Sequence, residues 1–219
     1  DEVGDRIFEA EYQGQPLDET GDFFNLDWVI FEESFQYTNP LITGQVRSWD
    51  LAYSGEEPGK DNDYTASCKM YRFSDDTYYV TDVTMERYGD DLLNILKRTA
   101  KLDNPNTRIL METGTKGGAA KELYNQYKKH FTGYMTKQSE PVGSKVDRAQ
   151  GFKQALMQGK IRFVLNDNQR ELLLTQLKGF PLAKHDDLID ALAYAYNYLS
   201  ENTTQGVRTA GKRKRKRIR

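Results

Sequence analysis

The chain has 219 residues, a length that suits one domain of ordinary size with appendages. Its 37% hydrophobic and 12% aromatic content supports a real core, while no run approaches the roughly 20 apolar residues of a membrane span and no signal peptide is visible. The formal charge of −2 hides an acidic body, and the lone Cys68 excludes internal disulfides and any zinc site built on Cys pairs.

The first residue is Asp1 rather than Met, so the chain reads as a fragment or a processed product. Residues 1–40 are punctuated by Gly4, Gly14, Pro16, Gly21 and Pro40. They read as a linker that carries one short strand around Trp28-Val29-Ile30-Phe31, set against a neighbouring domain or the start of the core. A regular pattern begins after Gln45. Val46–Tyr53 is expected as a strand, residues 54–63 as a loop, Tyr64–Phe73 as a second strand and Thr77–Met85 as a third. Ser74-Asp75-Asp76 supplies the hairpin turn.

The period then changes. Leu92, Leu93, Leu96 and Ala100 stand at helical spacing, which predicts a helix over Asp90–Lys101. A short buried strand over Thr107–Glu112 follows, then a helix over Ala119–Lys129, a short strand at Gly133–Met135 and a helix from Lys145 to Gln158. Ile161–Leu165 reads as a strand, Gln169–Lys178 as a helix and Asp186–Leu199 as the last helix. Three strands followed by alternating helices and strands predict an α/β domain, a mixed sheet covered by helices. From about Ser200 the chain turns polar and loses periodicity, so residues 201–219 are expected as a disordered tail. Residues 212–219 carry seven basic groups and no acid. Without them 24 Lys and Arg face 33 Asp and Glu, a balance of about −9. A passive DNA-binding module is seldom so acidic, whereas a carboxylate-rich metal site has part of its charge cancelled by bound cations.

Acids stand where apolar elements begin or end. Asp50 lies in the strand Val46–Tyr53, where alternation puts it on one face with Val46 and Ser48, and Trp49 and Leu51 on the other. It must meet solvent, a partner cation or a metal. Glu112 ends an apolar strand, at the mouth of a loop. Asp186 and Asp187 open the last helix, where they could simply cap it. Asp190 is harder to explain as surface, because the helix around it is almost wholly apolar or Tyr. It shares a face with Asp186 and Asp187, and like charges so placed destabilise a helix unless a cation neutralises them. Such acids suit Mg²⁺ or Mn²⁺, and two such ions about 4 Å apart can activate a water and stabilise the leaving oxygen of a phosphodiester. A divalent-metal nuclease is therefore the leading reading.

Lys145, Arg148 and Lys153 place cations along one helix, as a solvated face or as contacts to DNA phosphate. His185 reads as a ligand, a proton carrier or an ordinary loop histidine, and His130 as structural. The glycine-rich run Gly114-Thr115-Lys116-Gly117-Gly118 lacks the Gly-Lys-Ser/Thr ending that grips nucleotide, which argues against ATP binding, though amides at the following helix start could touch a phosphate.

Over roughly Phe8 to Leu199 the chain resembles the C-terminal nuclease domain of a tailed-bacteriophage terminase large subunit, the DNA-packaging motor. The resemblance rests on Phe8–Pro16, Trp49-Asp50-Leu51-Ala52, Asp63-Tyr64-Thr65-Ala66, Met111-Glu112-Thr113-Gly114, Lys145-Val146-Asp147-Arg148-Ala149 and, most of all, His185-Asp186-Asp187-Leu188-Ile189-Asp190-Ala191-Leu192. It implies an RNase H-like fold with a five-stranded core sheet over residues 41–200. It implies two-metal cleavage of concatemeric double-stranded DNA in the cytoplasm of the bacterial host. Asp50, Glu112 and Asp187 match the catalytic metal ligands, with Asp186 and Asp190 as adjacent candidates and Lys145, Arg148 and Lys153 on the DNA. The family's ATPase domain would precede residue 1, so no nucleotide is expected here. The portal and the small terminase subunit are the implied partners, and no membrane. A RuvC-like junction resolvase, or a non-catalytic module docking on DNA or portal, are the rival readings.

Overall fold

The computed structural model describes residues 22–34, 41–51, 64–113 and 118–202. The segment Phe8–Pro16, Ala52 to Asp63, Gly114 to Gly117 of the glycine-rich run and the basic tail lie outside the described residues.

The elements in chain order are β1 (Ile30–Phe31), β2 (Ile42–Asp50), β3 (Thr65–Phe73), β4 (Tyr78–Glu86), α1 (Leu92–Leu102), β5 (Arg108–Glu112), α2 (Gly118–Lys128), β6 (Thr136–Ser139), α3 (Lys145–Met157), β7 (Ile161–Phe163), α4 (Asp167–Gly179) and α5 (Asp187–Glu201). They form one sheet in the order β1-β7-β4-β3-β2-β5-β6. Strands β2, β3 and β4 are an antiparallel meander, and β5 and β6 add in parallel beside β2. This is the expected five-stranded core. The short strands β7 and β1 extend it at the β4 edge, which makes seven strands.

Local sequence accounts for the elements. The β3–β4 turn places Asp76 at φ 67°, where Asp is tolerated better than most residues, and Arg72 and Lys160 hold its carboxylate at 2.7 and 3.1 Å. Helices α3 and α4 start on capping boxes, Ser144 with Asp147 and Asn166 with Gln169. Strand β6 lies just after the expected Gly133–Met135. Its residues, Thr-Lys-Gln-Ser, show no apolar alternation, so only pairing with β5 defines it.

The two faces of the sheet are covered differently. Trp49, Leu51, Ile109 and Met111 face α1 and α2. Val46, Ala66, Cys68, Met70 and Leu110 face α3, α4 and α5, with α5 laid across β2 and β3. Cys68 Sγ donates to the Ala191 carbonyl of α5 at 3.4 Å. Phe24 joins this second core at 1% exposure, its ring 5.5 Å from Phe180 and 5.9 Å from Phe152. Phe23, too, packs against this core, its ring 5.0 Å from that of Phe180.

On the α1 side a charge network ties the meander together. Arg47, on β2, donates to Asp103 through Nε (3.0 Å) and Nη2 (3.1 Å), and to Asp82 on β4 through Nη1 (2.5 Å), while Lys69 on β3 reaches Asp103 at 2.7 Å. Burial alone would raise Asp103, but these donors outweigh it and hold the carboxyl below its ordinary range. Every buried charge in the network is paired, the condition under which such charges are tolerated.

Candidate active site

The site forms where β2, β5 and α5 meet. Asp50 is the last residue of β2 and Glu112 the last of β5, and the parallel register sets them directly opposite one another. The Leu51 amide donates to the Glu112 carbonyl at 3.0 Å, so the pairing runs to the end of both strands. Asp50 thus terminates its strand instead of lying within one that runs to Tyr53. Alternation along β2 and β5 turns both side chains toward α5. There Asp190 is buried one turn into the helix, Asp186 is its N-cap residue and Asp187 its first residue. Asp186 makes no capping bond, so it is not explained as a helix-start signal.

Two of the three expected cations come to these acids. Lys145 Nζ lies 2.5 Å from Asp186 Oδ1, and Arg148 holds Asp190 Oδ1 through Nη2 at 2.7 Å and Nε at 3.3 Å. Gly143, at φ +77°, makes the turn that leads into α3, and its carbonyl lies 3.5 Å from Arg148 Nη1. Lys153 does not join them. It is 5% exposed, with its ammonium 4.5 Å from the Phe23 ring centroid. Five residues turn a helix through about 140°, which carries Lys153 from the face of Arg148 to the face that packs on the core.

Electrostatics mark the cluster as strained. Burial pushes the Asp50 carboxyl well above its ordinary range, and Glu112, Asp190 and Asp187 add repulsion. Glu112 is pushed up to about 7, again chiefly by burial, with Asp190 adding to it. Burial also raises Asp190, against the opposing pull of Arg148. Glu112 Oε2 and Asp186 Oδ2 are buried with no hydrogen-bond partner. The Tyr194 hydroxyl faces Glu112 closely enough to lower it, yet misses hydrogen-bonding geometry. Orphaned, repelling carboxylate oxygens are the chemistry that a hard divalent cation satisfies. Among the described residues no three acids already stand as a closed metal-holding group, so ligation requires side-chain adjustment. Asp186 is held by Lys145 and Asp190 by Arg148.

The sequence offers His185 as a ligand or proton carrier but gives no role to Tyr194 or Arg87. Tyr194 is one turn beyond Asp190 on α5, a spacing visible in the sequence. His185 lies with Nδ1 3.9 Å from Asp187 Oδ2 and its ring edge-on to Tyr64 at 5.0 Å, and the Arg87 guanidinium covers the other part of Tyr64 at 4.0 Å. Arg87 comes from a separate segment, so no local pattern announces its place beside Tyr64 and His185. No helix among the described residues is long and apolar enough to cross a membrane.

Comparison with known proteins gives a consistent result. The profile of the terminase RNaseH-like domain matches residues 47–199. No curated protein sequence matches the chain significantly. Among solved structures, the chain is similar to the large terminase nuclease of the thermophilic phage G20c with bound magnesium, at 17% identity and TM-score 0.52, over 80% of this chain and 96% of that one. The same nuclease with bound cobalt gives 18% identity and TM-score 0.50 over 80% and 96%. The large terminase of a further thermophilic bacteriophage gives 11% identity and TM-score 0.59, over 82% of this chain but only 45% of that longer one. At such identities these structures speak to the fold. The profile match takes in the strands that end in Asp50 and Glu112 and the acidic helix as far as Leu199, and on that ground the chain belongs to the terminase RNaseH-like domain family.

Proposed function

We propose that this domain is a Mg²⁺- or Mn²⁺-dependent endonuclease that cuts concatemeric double-stranded viral DNA during genome packaging in the host cytoplasm. It would work beside an upstream ATPase domain of the same polypeptide, with the portal and small terminase subunit as partners. The observation that carries this reading is the pairing of Asp50 with Glu112 at adjoining strand ends beneath the acids of α5. Two hard cations held by Asp50, Glu112 and Asp187 would polarise the phosphate and lower the pKa of a water. The G20c nuclease with bound magnesium and with bound cobalt supports a divalent ion on this fold.

The chain's own residues have separable tasks. Asp50 and Glu112 are fixed by the sheet and set the floor of the site. Arg148 pairs with the buried Asp190 and opposes the rise that burial imposes on its carboxyl, as support rather than as a phosphate anchor. The Lys145 side chain is half-exposed, so its ammonium can move from Asp186 to a DNA phosphate. A plasmid-nicking assay in Mn²⁺, Mg²⁺ and EDTA tests the proposal, with Asp50→Ala beside the wild type. Nicking in metal alone, lost in the variant, is the expected result. A protein that never nicks is a docking module, and preference for cruciform over linear duplex identifies a junction resolvase.

A further inference from the structure

Helix α5 packs mainly on β2, β3 and β4, away from the β6 edge of the sheet. Between it, β6 and the start of α3 lies a pocket of about 400 Å³, within the range of small-ligand sites. It adjoins the acid cluster through Arg148, which pairs with Asp190, and Tyr194, which faces Glu112. Tyr198 lies one helical turn, about 6 Å, further from the acids on the same face of α5. Each ring has cations on it. Arg148 lies 5.7 Å from the Tyr194 centroid, and Lys137 and Arg108 lie 5.0 and 5.5 Å from that of Tyr198. The amides of Gln138 and Asn197 complete the lining.

The charge of the lining decides what fits. Glu140, Asp147 and Glu201 also border the pocket, so its cations are offset and it would not draw a phosphate backbone in. It offers aromatic faces and amide groups, the chemistry that takes a flat, neutral, hydrogen-bonding ring. Tyr194 is 8% exposed and its hydroxyl is turned to Glu112, which leaves the more exposed Tyr198 as the ring for such a contact.

We infer that the pocket between α5 and β6 receives an unpaired nucleobase of the DNA strand next to the scissile phosphate, stacked on Tyr198 with Lys137 moved aside. This rests on the nuclease reading, in which the strand lies across Asp50 and Glu112. The domain would then cut more readily where a base can leave the duplex.

The test uses the full chain and two short fluorescent oligonucleotides of equal length and charge, one of thymidines and one abasic, titrated by anisotropy in Ca²⁺ buffer. Base stacking predicts that wild type binds the thymidine probe about tenfold more tightly than the abasic one. Tyr198→Ala removes that difference, and Tyr198→Phe, which keeps the ring, retains it. The basic tail feels only charge and binds both probes alike. Equal binding of both probes by wild type, or an undiminished difference in Tyr198→Ala, overturns the inference. A wild type that nicks plasmid yet does not distinguish the probes leaves the nuclease reading standing and removes the pocket. A wild type that distinguishes the probes but never nicks keeps the base site and removes the nuclease.

Discussion

Replacing Glu112 by Gln isolates the electrostatic strain of the acid cluster. The folded protein holds the Glu112 proton more tightly than the unfolded chain does, since the carboxyl rises from 4.5 to about 7 on folding. Wherever the folded state binds the extra proton, stability falls as pH rises. The loss sets in above about 4.5 and is complete above about 7, so metal-free wild type is less stable at pH 8 than at pH 5 on this account. With one pKa unit equal to about 1.4 kcal/mol, the penalty at pH 8 is up to about 3 kcal/mol. The side chain is nearly fully buried, so solvent screening removes little of it. Gln has the shape of the protonated acid and never ionises. The variant should match wild type at pH 5 and exceed it at pH 8 by up to about 3 kcal/mol, or roughly 5–10 °C in melting temperature for a domain of this size. Urea unfolding in EDTA at the two pH values measures it. An equal effect at both pH values would refute the reasoning, because the change would then reflect packing and not charge.

Other outcomes follow from the same geometry. Asp50→Ala should abolish nicking and leave melting in EDTA unchanged or raised, because it relieves repulsion from Glu112, Asp190 and Asp187; nicking at the wild-type rate would remove Asp50 from the site. Arg148→Ala leaves Asp190 buried without its partner and should cost about 3 kcal/mol, read by denaturant unfolding, whereas an exposed pair would cost well under 1 kcal/mol. A divalent ion that binds only the folded form should raise the melting temperature. At a hundredfold its dissociation constant it adds about 2.7 kcal/mol, with Mn²⁺ acting at lower concentration than Mg²⁺ and Asp187→Asn blunting the shift. Identical melting in EDTA, Mg²⁺ and Mn²⁺ would mean that metal enters only with DNA. Deleting residues 206–219 should weaken DNA binding and flatten its salt dependence while sparing nicking at low salt; loss of nicking in the folded truncation would place the tail in the active complex.

Strands with a strong apolar or β-branched pattern, and helices with spaced Leu residues, were legible to within a residue or two. This holds for Thr65–Phe73, Tyr78–Glu86, Arg108–Glu112 and Leu92–Leu102, where local preference and burial agree. Thr136–Ser139 was displaced because its sequence lacks that pattern and its register comes from Ile109–Glu112 beside it. The acids were legible because a charge inside an apolar helix or at an apolar strand end has few explanations. Their ion pairs were not, since Lys145 and Arg148 read as a solvated face or phosphate contacts. Lys145 and Arg148 share a helix face and reach Asp186 and Asp190, but the direction of Lys153 depends on which side of α3 packs, and there it meets Phe23, far away in sequence. The sequence could not order the acids of α5 by role, since Lys145 and Arg148 select among them only through three-dimensional contact.

The thiol beneath α5 makes the protein its own gauge of opening. Burial pushes Cys68 up to about 12, so in the closed fold almost no thiolate exists for a reagent to meet. Its contact, the Ala191 carbonyl, belongs to the residue directly after Asp190. Any excursion that lets a reagent reach the sulfur must lift this stretch of helix off β3, and the same excursion separates Asp187 and Asp190 from Asp50 and Glu112. The rate of thiol labelling under native conditions therefore counts how often the acid cluster comes apart. An ion bridging strand and helix would slow that clock, and it would do so whether or not any phosphodiester is cut.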